Sequence, residues 1–169
     1  MVQIGQLLPD FLGLAVDDAR IPHSFELADE AGMKFSFDHV ELVDAHPNTV
    51  KLNLTGVNGS VLEVVAASIG GGRIRVCEID GLPANFEGDY PTLIVRNIDQ
   101  PGHVMEVTAM LGHKGVNIAT LQLFRQSRGG QAAMVIECDQ EVPAESIKWL
   151  SRQEGIVKVT YLSQAQRED

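Results

Sequence analysis

The sequence predicts an α+β fold in two modules. Three observations carry that expectation: short runs of alternating apolar residues recur along the chain, three stretches of helical spacing interrupt them, and the charge steps near residue 90. Residues 1–90 hold five basic against fourteen acidic residues, and residues 91–169 hold eight against nine, so nearly all of the net charge of −10 sits in the first half. A hydrophobic content of 44% over 169 residues is enough for a buried core, in one large domain or two small ones.

The first 23 residues mix apolar side chains with Pro9 and Gly13 and keep no period. Ser24 is the expected N-cap of a short helix that carries Leu27, Ala28 and Ala31 on one face and stops at Gly32. From Lys34 to Leu42 the pattern alternates, which predicts a strand, or two with a kink. The segment His46-Pro47-Asn48-Thr49 then leads into a strand, an Asn58-Gly59 hairpin turn and a second strand ending at Ser68-Ile69-Gly70-Gly71-Gly72. Arg73 to Asp80 alternates again, and Gly81-Leu82-Pro83 is expected to close the module.

Residues 86–91 read as a linker, which divides the chain into 1–88 and 91–169. Thr92 to Asn97 is a strand, Asp99-Gln100-Pro101-Gly102 turns into a helix with Val104, Val107 and Leu111 on one stripe, and Gly115 ends it. A long strand through Gln126, a turn at Arg128-Gly129-Gly130 and a returning strand through Asp139 follow. Pro143 is placed as the first residue of a helix to about Arg152, and Gly155 to Leu162 is the last strand. The order βαββαβ is that of a ferredoxin-like unit, an antiparallel sheet with two helices on one face. Trp149 and Val159 are expected in its core.

Composition also excludes functions. An acidic chain with no basic stripe repels a phosphate backbone, so no nucleic-acid partner is expected. No uncharged apolar run is long enough for a membrane span, and the N-terminus has no basic and apolar leader pattern, so the cytoplasm is the expected location. The two cysteines, Cys77 and Cys138, lie in strand-like runs without metal spacing, so this chain is expected to bind no metal and to form no disulfide.

The second module resembles an ACT domain, on the evidence of Asn97-Ile98-Asp99-Gln100-Pro101-Gly102 entering its helix and Gly115-Val116-Asn117-Ile118 entering its second strand. Further upstream, residues 17–24, 46–54 and 63–81 make the whole similar to the beta chain of iron–sulfur-dependent L-serine dehydratase. That resemblance implies an allosteric-substrate-binding-like first module, also found ahead of an ACT domain in one type of D-3-phosphoglycerate dehydrogenase. Beta chains of this family begin with a longer portion bearing Gly-Pro-Ser-Ser-Ser-His-Thr. Its absence here marks the chain as truncated, divergent or the product of a shortened gene.

The resemblance implies conversion of L-serine to pyruvate and ammonia with a partner alpha chain that carries a [4Fe–4S] cluster. His46, Asn48 and Ser68 would orient the substrate, and Thr49, Gly70, Gly71 and Gly72 would bind it. From the residues alone, Asn48 and Thr49 are expected to bond their own loop's backbone, and Ser68 to Gly72 form either a tight turn or an anion-binding nest. Asn97, Asp99, Gly102, His103 and Asn117 are the candidate effector site for L-serine or a related amino acid, because a helix start suits a carboxylate. The alternative there is a simple helix cap and turn. A homodimer through ACT domains is implied. A stand-alone amino-acid sensor and a regulatory part related to phosphoglycerate dehydrogenase are the rival functions. His23, His39 and His113 read as surface residues, and Asp17-Asp18 as a solvated turn.

Overall fold

The structure, a computed structural model, describes residues 11–15, 17–42, 45–71 and 73–163. The α+β class predicted from the sequence is what it has, with two four-stranded antiparallel sheets and short helices. The chain divides into two compact units, Met1–Asn48 and Thr49–Asp169.

In the first unit a 3-10 turn, Ile21–His23, runs into helix α1 (Ser24–Glu30). The turn starts the helical path early, so His23 takes the N-cap position and Ser24 lies inside the helix, buried with Ala28. The chain leaves α1 at Gly32, whose N–H donates to the Asp29 carbonyl at 2.9 Å. No strand forms between Met33 and Leu42. Alternation prepares two faces, but a strand persists only when a neighbour completes its ladder. Here Phe35 and Phe37 pack with Phe25 of α1 instead, at centroid distances of 5.6 and 6.2 Å.

The second unit opens with a meander of β1 (Thr49–Thr55), β2 (Val61–Gly70), β3 (Arg73–Ile79) and β4 (Leu82–Phe86), hydrogen-bonded in that order. The Asn58 side chain accepts the Ser60 N–H at 3.0 Å and fixes the first hairpin. Strand β4 has no counterpart in the sequence expectation, which closes the module at Gly81-Leu82-Pro83. Asp80 and Gly81 both have positive φ, 50° and 76°, and join paired residues Ile79 and Leu82. A two-residue turn of that kind is how a hairpin matches strand twist. Leu82, Ala84 and Phe86 point inward from β4, with Pro83 and Asn85 outward.

After residues 87–91 come β5 (Thr92–Ile98), α2 (His103–His113), β6 (Ile118–Arg125), β7 (Gln131–Cys138), α3 (Ala144–Leu150) and β8 (Ile156–Leu162). The strand order β6-β7-β5-β8, antiparallel throughout, is the ferredoxin-like arrangement. The buried stripe of α2 is His103, Val107, Met110 and Leu111, while Val104 is partly exposed. Pro143 caps α3 from outside, because its extended ψ of 136° precedes the helical path.

The central strands explain why this sheet reads as nearly continuous apolar sequence. Leu93 and Val95 of β5 and Met134 and Ile136 of β7 meet Val107, Leu111 and Leu150 from the helices. Ile94 and Val135 point the other way and pack with Val76, Ile79, Ala84 and Phe86 of the meander. A sheet covered on both faces buries successive residues, not alternate ones. The compact division therefore falls between Asn48 and Thr49, and residues 87–91 join two sheets that share a core.

Asp80 fastens the two sheets at their rim. Its Oδ1 accepts the Glu63 N–H at 3.0 Å, and its Oδ2 takes Lys158 Nζ from β8 and Arg96 Nη1 from β5, the latter at 3.4 Å. Burial pushes the Asp80 carboxyl up, but the Glu63 N–H and the Lys158 and Arg96 charges outweigh it, so the group lies below its ordinary 3.8. A depressed carboxylate stabilises the fold above its unfolded-state value and loses that contribution as pH falls through the folded one. Asp80→Asn keeps the turn and the Glu63 bond but removes the charge. The expected loss is about 1–2 kcal/mol at pH 7. Urea midpoints of the two proteins should converge as the pH drops below the ordinary carboxyl value of 3.8; a constant gap would place the effect elsewhere.

Candidate functional site

The substrate set falls in both units. His46 and Asn48 end the first unit, where His46 Nδ1 accepts the Asn48 N–H at 3.2 Å and so ties the loop across Pro47. Thr49 opens β1 opposite Ala67, and Ser68 lies on β2 opposite Ile74. Gly70 and Gly71 turn the chain toward β3 with φ of 88° and 63°. A Cβ at either would meet nothing within 4 Å, so conformation and not crowding demands glycine, and the backbone is open to approach. Gly72 lies outside the described residues.

The effector set gathers at the β5–α2 connection, with one exception. Asn97, the next-to-last residue of β5, is 3% exposed; its amide donates to the Ile98 carbonyl at 2.7 Å, and its Oδ1 is buried without a partner among the described residues. Asp99 does not cap the helix. Its Oδ2 accepts the Gly129 N–H at 3.0 Å and faces Arg125 Nη1 at 3.5 Å, which holds the β6–β7 turn. Gly102 takes the N-cap of α2 with φ of 108°, and no side chain caps the helix. His103 follows, its Nδ1 3.6 Å from Glu106 Oε2 and its Nε2 buried without a partner among the described residues. The Nε2 edge lies against Gly155, where an added Cβ would come within 2.5 Å.

Asn117 is the exception. It sits past the C-terminal end of α2, roughly 16 Å of helix from Gly102. There its amide donates to Asp139 Oδ2 at 2.6 Å and its N–H to Gln140 Oε1 at 2.7 Å. Four of the five candidates thus sit near one end of the sheet and the fifth at the other.

Sequence reasoning missed the groove between α2 and α3. It has a volume of about 900 Å³ and is bordered by Gly102, His103, Met105, Glu106, Ser146 and Trp149, among others. Trp149, expected in the core, is 44% exposed on its wall. The signal lay in the spacing: Met105, Ala109 and Trp149 form apolar positions outside the buried stripes of their helices.

The residues present do not suit an iron–sulfur cluster of their own. Two cysteines cannot supply four thiolates. Cys138 is buried, and burial foremost, with the Asp139 charge, pushes its thiol up to about 11, while Cys77 is exposed on β3. Among the described residues no group of three or more His, Cys, Asp or Glu side chains is placed to hold a metal ion. No helix among them is long and apolar enough to cross a membrane.

The chain is similar to the probable L-serine dehydratase beta chain of Bacillus subtilis, 30% identical over 146 residues, which cover 86% of this chain and 66% of that one. It is 34% identical to the L-serine dehydratase beta chain of Peptoniphilus asaccharolyticus over 143 residues, 84% of this chain and 64% of that one. D-3-phosphoglycerate dehydrogenase of Bacillus subtilis is 30% identical over 136 residues, 79% of this chain but 25% of the dehydrogenase. The chain thus spans about two thirds of the beta chains it matches. No protein-family model matches it.

Proposed function

We propose that this chain, a homologue of L-serine dehydratase beta chains over 86% of its length, is the beta subunit, regulatory and substrate-facing, of an iron–sulfur L-serine dehydratase in the cytoplasm. The similarity to two beta chains along most of the sequence carries this reading. The enzyme converts L-serine to pyruvate and ammonia, and the [4Fe–4S] cluster belongs to cysteines of an alpha chain. Its Lewis acidity would assist departure of the serine hydroxyl. This chain by itself is inactive.

Within that reading, residues 1–88 form the beta-chain-like portion and residues 91–169 the ACT domain. His46, Asn48 and Ser68 orient serine, and Thr49, Gly70, Gly71 and Gly72 bind it. The ACT domain senses serine or a related amino acid, a role in keeping with the similarity to a phosphoglycerate dehydrogenase over a quarter of that protein's length. Strand β6 is an edge strand with Leu121 and Leu123 exposed. Two copies related by a two-fold axis pair such edges antiparallel. The start of one β6, beside Asn117, then meets the end of the other, where Arg125 holds Asp99. The effector site closes between copies.

The test is purification of the tagged chain under argon from a source that also expresses its neighbouring reading frames. A cysteine-rich partner that co-purifies, with iron and sulfide in the eluate and serine deaminase activity, is the expected result. A chain that emerges alone and still binds serine is instead a sensor without catalytic share.

A further inference from the structure

We infer that β1 is an interface strand, which pairs antiparallel with β1 of a second copy of this chain about a two-fold axis through Leu52. The strand lies at the outer edge of the meander, and among the described residues β2 is its only ladder partner. The backbone groups on its outer side are a ready template for another strand.

The other edges of the two sheets are interrupted. Strand β4 carries Pro83, and its pairing with β3 shifts register between Val76 and Glu78. The pairing of β8 with β5 shifts between Arg96 and Asn97, and that of β6 with β7 shifts near its start, between Ile118 and Thr120. Bulges and prolines are common means of blunting an edge. Strand β1 has neither: it runs against β2 without a break from Thr49 to Thr55. Its one charged side chain, Lys51, is engaged by Glu63 of β2 at 2.8 Å.

The residues of β1 specify both the occupant and the register. Val50, Leu52 and Leu54 lie opposite Ala66, Val64 and Leu62, on the face that packs toward Ile94 and Val135, and all three are only half-buried. An axis through Leu52 sets Val50 against the partner's Leu54 and Leu52 against the partner's Leu52. The apolar face then continues from one copy into the next. On the other face Lys51 meets the partner's Asn53, so no like charges oppose each other. A slip by one residue would set Leu52 against the partner's Asn53 and join an apolar face to a polar one. An axis through Lys51 would set the two lysines against each other. Pairing about Leu52 joins two four-stranded sheets into one of eight strands.

This contact requires neither the alpha chain nor an amino acid. Strands β1 and β6 edge different sheets, so it is also independent of any pairing through β6.

The test uses the full chain carrying Leu121→Glu and Leu123→Glu, exposed positions that load the β6 edge with charge. Analytical ultracentrifugation is expected to show a dimer with Kd below about 100 µM. Asn53→Lys, at an exposed site opposite Glu63, creates two lysine pairs across the axis and weakens the dimer about tenfold. Adding Lys51→Glu to that variant sets opposite charges across the axis and restores the dimer. A folding defect would not be repaired by a second charge change, so the rescue reports on pairing alone. A monomer up to about 500 µM overturns the inference. So does a dimer indifferent to Asn53→Lys, or one that the second substitution fails to restore.

Discussion

His46→Ala in the reconstituted two-chain enzyme is expected to lower turnover at least about 100-fold, the low end of what a positioned acid–base or orienting group contributes. The geometry gives the reason. His46 Nδ1 accepts the Asn48 N–H at 3.2 Å. That bond fixes the plane of the ring and so the position of its far edge. Alanine removes both the ring and the tie across Pro47. Steady-state serine deamination measures the effect, and the thermal midpoint of the isolated chain is the control. Turnover within about threefold of wild type would remove His46 from substrate orientation. A loss matched by a large fall in midpoint would assign His46 to holding its loop.

Leu111→Ala is expected to destabilise the second unit by about 3 kcal/mol, within the range found for buried leucine truncations. Leu111 is fully buried where α2 meets the sheet, in one cluster with Leu93, Val95, Val107, Met134 and Ile136. The substitution removes three methyl or methylene equivalents, and close-packed neighbours on both sides leave little room for collapse. Urea denaturation followed by Trp149 emission from α3 should show a lower midpoint with an unchanged slope. A loss below about 1 kcal/mol would mean that α2 does not pack as described.

The ACT-like half was legible almost residue by residue. Pro101-Gly102 before a helix, Gly115 after it and a glycine pair at residues 129–130 each act locally, through backbone angles that one residue imposes. Apolar runs such as Thr92–Val95 and Ala132–Ile136 marked strands buried on both faces, although only the packed meander explains why both faces are apolar. Asp80-Gly81 carried an equally local hairpin signal for β4, obscured by Pro83, which an edge strand tolerates.

The candidate sites were harder to read. Asn97 and Asn117 have the same side-chain chemistry, but one is buried with an unpaired oxygen and the other is held by Asp139 and Gln140. Asp99 had the residue type and position of a helix cap, yet the turn at Gly129 came within reach of its carboxylate and took it.

By itself, then, the sequence determined where elements start, stop and turn in residues 92–162, the ferredoxin-like order of that half, and the kinship with serine dehydratase beta chains. Only the tertiary structure decided that Lys34–Leu42 forms no strand, that Asp80 pins one sheet to the other, and that Trp149 lines a groove. Helix ends and tight turns depend on angles within a few residues. Strand pairing, ion pairs and exposure depend on what a distant segment brings alongside, and no local pattern encodes that.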